Sequence, residues 1–475
     1  MKKYEQLAEM LQEQIDKKIF QSGEKLPSIR YLSRQHRVSI STVQEAFRLL
    51  EFSGEVTARA KSGFYVCDKK RVVPVPPSMP HYATKPKIVS KWAQIRHALY
   101  RKNELPGVVY LGRATPDLTA PSLKPLQRKV SNLARSDSVR ALHYDYLFGC
   151  IELRRQIAKI AVDAGCGLST DEIIITNGCI EGISSSLHAL TRHGDTVVVD
   201  SPCFYGTLQA IEAQGLKALE IPTDPHTGIS LEALELALDQ WQVKACLLTP
   251  TFNNPLGYSM PDERKRELLV LLKRYDIPLI EDDIYGDLSY ETPRPRTIKS
   301  FDSEGRVILC SSFSKSLAPG LRVGWVAPGR YQQDVMHMKY VSSMSTSTLP
   351  QLAIAEFIAS GGYDRHLRKM RSNYRRGRDL MLEWIERYFP AGTRVSCPAG
   401  GYLLWLELPE TVDAEQLSDL AMEEGVSIAF GNLFTASDKY RNNMRLSYAN
   451  TPHEKIERAM AVLGRLTTEY AQGRN

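Results

Sequence analysis

The sequence predicts two modules of different class: a small helical head closed by a β-hairpin, and behind it a large α/β domain around a mostly parallel sheet. Three observations carry this. Apolar residues recur at helical spacing in three short stretches before residue 52 and then give way to strand-like sequence. Pro74, Pro76, Pro77, Pro80 and Pro86 follow with no apolar periodicity. From Ile88 onward, helical stretches alternate with short apolar strands for more than 300 residues.

In the head, Tyr4, Leu7, Ala8, Leu11, Ile15 and Ile19 predict an amphipathic helix over 3–19. Pro27-Ser28 opens a second helix that turns Ile29, Leu32 and Tyr31 inward. Ser39 caps a third, in which Val43, Ala46, Phe47 and Leu50 form the buried stripe and Gly54 ends the helix. Glu55–Val66 reads as two strands joined through Lys61-Ser62-Gly63. Three helices and a hairpin in so few residues make a winged helix-turn-helix. With one side of the third helix apolar, Ser41, Thr42, Gln44, Glu45 and Arg48 face outward. Arg30 sits where the second helix would cross a nucleic-acid backbone, and Lys61 at the hairpin tip. Residues 1–71 hold 14 basic and 9 acidic side chains, so +5 of the chain's +7 lies there. An anionic partner fits that excess, as does a solubilising face.

In the large domain the predicted strands are 172–176, 196–200, 245–249, 278–282, 306–311 and 323–327. Functional residues cluster at their ends. Ser311-Ser312-Phe313-Ser314-Lys315 places a lysine among hydroxyls, with Arg322 seven residues on, a pattern suited to an imine beside a phosphate anchor or to a plain surface lysine. Glu281-Asp282-Asp283-Ile284-Tyr285 ends another strand, where acids point into the ligand crevice of an open sheet. Asn253-Asn254-Pro255 offers an amide, and Asn177-Gly178-Cys179 a helix start that can hold a phosphate.

The composition, 43% hydrophobic and 24% charged, is ordinary for a globular protein. No run reaches the roughly 18–20 apolar residues of a membrane span, and the first residues lack a signal-peptide core. Eight cysteines stand singly, without a Cys-x-x-Cys pair. They predict no paired-cysteine zinc site, no disulfide framework and a reduced, cytoplasmic location.

Gly23-Glu24-Lys25-Leu26-Pro27-Ser28, Val38-Ser39-Ile40-Ser41-Thr42 and Ser62-Gly63-Phe64-Tyr65-Val66 resemble the GntR family of bacterial regulators. The resemblance implies promoter DNA as partner, met by Arg30, Ser39, Ser41, Thr42, Gln44, Lys61 and Gly63. Ile40 stands where the family often has Arg. The strand-end motifs, in their order, resemble fold-type I pyridoxal-phosphate enzymes of the aminotransferase group, with a smaller C-terminal α/β subdomain. That resemblance implies pyridoxal 5'-phosphate, with Lys315 as the Schiff-base lysine and Asp282 on the ring nitrogen. Asn254 and Tyr285 would meet the ring hydroxyl, and Gly178, Cys179, Ser312 and Arg322 the phosphate. Phe204, or alternatively Tyr205, would stack on the ring. Arg445 in Asn443-Met444-Arg445-Leu446-Ser447 would bind a substrate carboxylate, and Tyr144 would reach a partner subunit's phosphate in a homodimer. Ala114 departs from the usual glycine, and Arg113 adds charge beside it.

Together the modules resemble the MocR subfamily: a DNA-binding domain over 1–68, a proline-rich linker and connecting helix over 69–104, and an aminotransferase-like domain over 105–475. The resemblance implies a regulator that senses an amine or amino acid as an external aldimine. The alternatives are an active aminotransferase with a DNA-binding domain, and a repressor whose large domain is only a dimerisation scaffold.

Overall fold

The computed structural model describes residues 3–52, 55–59, 62–67, 74–79, 85–100, 106–450 and 454–473. The chain forms two compact units, one up to Val73 and one from Pro74 onward.

In the first unit, helices α1 (Lys3–Asp16), α2 (Ile29–Gln35) and α3 (Ile40–Phe52) precede the antiparallel strands β1 (Val56–Arg59) and β2 (Gly63–Val66). Leu7, Leu11, Leu32, Val43, Phe47 and Leu50 form its core with Val56 and Val66. Phe47 stacks face to face on Phe64 with ring centres 4.3 Å apart. Two expectations need correction. The first helix stops at Asp16 because Lys18 takes a left-handed φ of 57° and the Ile19 N–H turns back to Gln14 O, which leaves Ile19 exposed. Tyr31 is exposed too, because Ile29 and Leu32 share a face three residues apart and position 31 falls off it. Gly54 and Lys61 lie outside the described residues.

In the second unit, the large sheet runs in the order Lys87–Ile88, Lys217–Asp224, Thr196–Ser201, Val243–Leu248, Leu279–Asp282, Val307–Ser312, Gly324–Ala327, Ile174–Thr176. The five strands from Lys217–Asp224 to Val307–Ser312 are mutually parallel, Lys87–Ile88 and Gly324–Ala327 run antiparallel to them, and Ile174–Thr176 pairs antiparallel with Gly324–Ala327. Such a centre must be covered on both faces, and its strands are accordingly near-continuous apolar runs: Val197, Val198 and Val199 are all fully buried. All six predicted strands are present, within two residues at each end.

The C-terminal part builds a smaller antiparallel sheet in the order Arg394–Val395, Leu403–Glu407, Asn443–Ser447, Ala429–Phe430, with the long helices Gly362–Tyr388 and Glu454–Ala471 in contact. The expected linker is partly bound to this unit. Val75 O accepts from Val395 N at 2.8 Å, and Ser78 donates through its N–H (2.6 Å) and Oγ (2.8 Å) to the Glu407 carboxylate. Lys87–Ile88 then joins the large sheet, and the expected connecting helix spans Trp92–Tyr100.

Candidate cofactor and DNA sites

The strand Leu279–Asp282 carries three successive acids into the interior, Glu281, Asp282 and Asp283, all buried. Strand alternation sends Glu281 and Asp283 to one face and Asp282 to the other. Glu281 accepts from the Ile298 and Lys299 N–H groups, whereas Asp283 pairs with Arg294. Asp282 Oδ1 accepts from Ile284 N at 3.1 Å and lies 3.4 Å from Cys179 Sγ. Loss of hydration pushes its carboxyl up to about 6.

Lys315 follows the neighbouring strand, Val307–Ser312. Its Nζ donates to Ala114 O at 2.7 Å and lies 5.9 Å from the Tyr285 ring centre. Burial, seconded by the Arg445 guanidinium and opposed by Asp282, brings its amine down to about 8. A lysine so depressed holds far more neutral, nucleophilic amine at neutral pH than an ordinary one.

The helix Cys179–Leu190 starts at Gly178, whose φ of 89° favours glycine. A Cβ there would lie 2.6 Å from Arg322 Nη2, which itself donates to Asn177 O at 2.7 Å. The helix start, Arg322 and Ser312, whose Oγ accepts from Ser314 N, therefore form one polar end of the site. The Cys179 thiol turns toward Asp282, and its backbone N–H lies in the first turn of the helix.

Arg445 is fully buried in the strand Asn443–Ser447. It donates to Asn254 Oδ1 (2.9 Å) and Gly112 O (2.8 Å), with its guanidinium carbon 4.9 Å from the Phe434 ring centre and 5.8 Å from that of Tyr205. Arg445 Nε and Tyr285 Oη are buried without a hydrogen-bond partner of ordinary geometry, although the Tyr402 hydroxyl is near enough to influence Tyr285. Buried polar atoms of this kind call for a ligand. Phe204 and Tyr205 begin the helix Tyr205–Ala213 with ring centres 4.6 Å apart, and Tyr205 is the one beside Arg445. Arg113 lies with its guanidinium carbon 3.8 Å from the Tyr110 ring centre. Tyr144 is 74% exposed, in a surface run with Val139, Leu142 and Tyr146.

Sequence reasoning missed the Gly112 and Ala114 carbonyls, because a backbone acceptor leaves no side-chain signature. It also missed Arg294, which sits in Thr292-Pro293-Arg294-Pro295-Arg296, a stretch without periodicity.

In the head, Ser39 Oγ caps α3 by accepting from Thr42 N at 3.1 Å and lies 2.8 Å from Ser41 Oγ and 2.7 Å from Thr42 Oγ1. Arg30, Ser39, Ser41 and Gln44 are exposed and Thr42 half-buried, so the start of α3 offers a polar, hydroxyl-rich end. Gly63 opens β2 with a φ of 120°.

Residues 3–66 match the family of bacterial regulatory proteins, gntR family, and residues 109–463 match aminotransferase class I and II. The chain is 47% identical to the uncharacterized HTH-type transcriptional regulator YjiR of Escherichia coli, over 98% of each chain. That full-length match decides the family. The chain belongs to the MocR subfamily of GntR-type regulators. Another relative, the HTH-type transcriptional regulator NorG of Staphylococcus aureus, is 26% identical over 92% of this chain and 98% of its own. Among solved structures, the MocR chain resembles the multiple substrate aminotransferase of Thermococcus profundus (TM-score 0.74, 28% identity, 80% of this chain and 96% of that one). It also resembles LysN of Thermus thermophilus, an alpha-aminoadipate aminotransferase complexed with N-(5'-phosphopyridoxyl)-L-leucine (TM-score 0.72, 27% identity, 80% and 99%). No helix among the described residues is long and apolar enough to cross a membrane.

Proposed function

We propose that this regulator binds promoter DNA through its head and carries pyridoxal 5'-phosphate on Lys315, where an amine or amino acid exchanges with the lysine and so signals its presence. The observation that carries this reading is the convergence of a depressed lysine amine and a buried carboxylate on adjacent strand ends. The residues fit the cofactor. Gly178 leaves room that a Cβ would fill, the Cys179 helix start and Arg322 favour an anion, and the unpartnered Tyr285 Oη can donate to a ring hydroxyl. Asn254 uses Oδ1 on Arg445, which leaves its amide N–H groups to donate to the same oxygen.

Bound there, the cofactor would supply an electrophilic carbon and an electron-withdrawing ring. Asp282 would hold the ring nitrogen protonated. Lys315 would serve as the exchangeable amine and as proton carrier once displaced. Arg445, with Nε free and both Nη atoms on neutral acceptors, would exchange those acceptors for an effector carboxylate. The exposed run Val139, Leu142, Tyr144 and Tyr146 suits a second copy of the chain, and a homodimer would present two heads to a two-part operator in the cytoplasm.

Borohydride reduction of the cofactor-loaded protein followed by peptide mapping tests the reading. A pyridoxyl adduct on Lys315, absent in Lys315→Ala, is expected. Its absence from the unmodified chain overturns the cofactor assignment and leaves the large domain as a scaffold. The complete set Lys315, Asp282 and Arg445 also favours a second reading, an active aminotransferase. Turnover of amino acid with a keto acid beyond one equivalent per site decides for that one.

A further inference from the structure

Beside the proposed site a largely buried polar chain joins Asp283, Arg294, Asp287, Tyr363 and Ser316. Asp283, next to Asp282, receives both oxygens' hydrogen bonds from Arg294 Nη2 at 2.7 and 2.5 Å. Arg294 Nη1 donates to Asp287 Oδ1 at 2.7 Å. Asp287 Oδ2 accepts from the Tyr363 hydroxyl at 2.7 Å, and that hydroxyl lies 2.8 Å from Ser316 Oγ. Ser316 is the residue after Lys315. The chain thus runs from the neighbour of one key residue to the neighbour of the other, and Arg294 is its only cation between the two acids.

Room for this guanidinium is made by Gly286. A Cβ at that position would lie 1.8 Å from Arg294 Nη2 and 2.4 Å from Asp283 Oδ1. Other charged groups face the same chain. Lys265 is buried and acts on Asp283 at longer range, and Arg371 Nε donates to Asp287 O at 2.8 Å. His366 Nε2 lies 2.9 Å from Ser316 O. Lys315 itself faces Arg445, Asp282, Cys179 and Arg322.

We propose that Arg294 is a positioning residue that sets the protonation behaviour of the Lys315 site, by neutralising Asp283 and by tying Asp287 to the turn that carries Lys315. An acid buried one residue from Asp282 would otherwise add a second negative charge to the site, and at interior distances one charge moves a neighbour's titration by about one pH unit. Arg294 cancels it with Nη2 on both Asp283 oxygens while Nη1 holds Asp287, a planar fork that lysine cannot copy. The inference rests on the proposal that the cofactor occupies this site.

The test is a pH titration of the visible absorbance of the cofactor-loaded full-length protein, read beside a thermal melt. Asp283→Asn, which keeps the shape, removes one negative charge and leaves Arg294 paired with Asp287 alone, and is expected to lower the midpoint by about one unit. Arg294→Met is expected to raise it by a similar amount, and the double variant to return within about 0.3 unit of the unmodified chain. A purely structural role would lower the melting temperature and leave every midpoint in place, which overturns the inference. Should Arg294→Met not fold, Asp283→Asn and Arg294→Lys decide alone: unchanged midpoints in both sink it. An unmodified chain with no visible band overturns the cofactor reading, and this inference with it.

Discussion

The sharpest structural test of the proposed phosphate cradle is Gly324→Ala. Gly324 lies in the strand Gly324–Ala327, directly against the start of the helix Cys179–Leu190. A Cβ there would stand 2.5 Å from the Gly178 carbonyl carbon and 2.8 Å from Cys179 N. Both partners are backbone, so no side chain can swing away. Restoring an ordinary contact of about 3.4 Å needs the helix start to retreat by about 1 Å, an overpacking that costs about 1–3 kcal/mol. It also pulls the first-turn N–H groups off the anion. Losing one charge-assisted bond of about 1.5–3 kcal/mol weakens cofactor affinity roughly ten- to hundredfold. The assay is equilibrium binding of pyridoxal 5'-phosphate followed by visible absorbance, with a thermal melt in parallel. Gly320→Ala is the control, since nothing lies within 4 Å of a Cβ at that position, and it is expected to bind as the unmodified chain does. Affinity unchanged in Gly324→Ala would refute the assignment of the Gly178 helix start as the anion site.

Further outcomes are expected. Arg445→Met weakens any carboxylate effector by at least about tenfold while leaving the cofactor's absorbance band in place, measured by spectral titration with a panel of amino acids and amines. Cofactor loading of the apo-protein speeds up about tenfold per pH unit below about 8 and levels off above, because Lys315 must be neutral to react. Its folded pKa lies below the unfolded value of about 10.4, so the apo-protein also gains stability as pH rises from about 8 toward that value. In the head, Arg30→Ala lowers promoter affinity for all sequences alike and reduces the slope of log affinity against log salt by about one, measured by salt-dependent gel shift. Phe47→Ala costs about 3–5 kcal/mol of head stability, read by denaturant unfolding, because the ring is fully buried and stacked on Phe64.

How much of this was legible follows from where each signal resides. The head could be read almost residue by residue: Ser28 and Ser39 cap their helices as their spacing implies, and Val43, Ala46, Phe47 and Leu50 are all buried. Local periodicity specifies such short elements. Four of the five parallel strands were equally plain, being apolar runs bounded by turns. The strand Lys217–Asp224 escaped notice because Lys217, Glu220 and Pro222 interrupt its apolar pattern, although Glu220 is buried and held by Thr435, Ala436 and Ser437. At the site, motif residues such as Asp282, Lys315 and Arg445 carried their own chemistry. The carbonyls of Gly112 and Ala114 and the fork of Arg294 act through tertiary contacts across 11 to 333 residues of sequence, where no local pattern can report them.

The docking of Ser78 on Glu407 and of Val75 on Val395 makes this part of the expected linker a fixed part of the large unit. Glu407 closes the strand Leu403–Glu407, in which Trp405 pairs with Arg445 on the neighbouring strand. Any shift of that smaller sheet therefore carries residues 75–78 with it, through Glu407 and Val395.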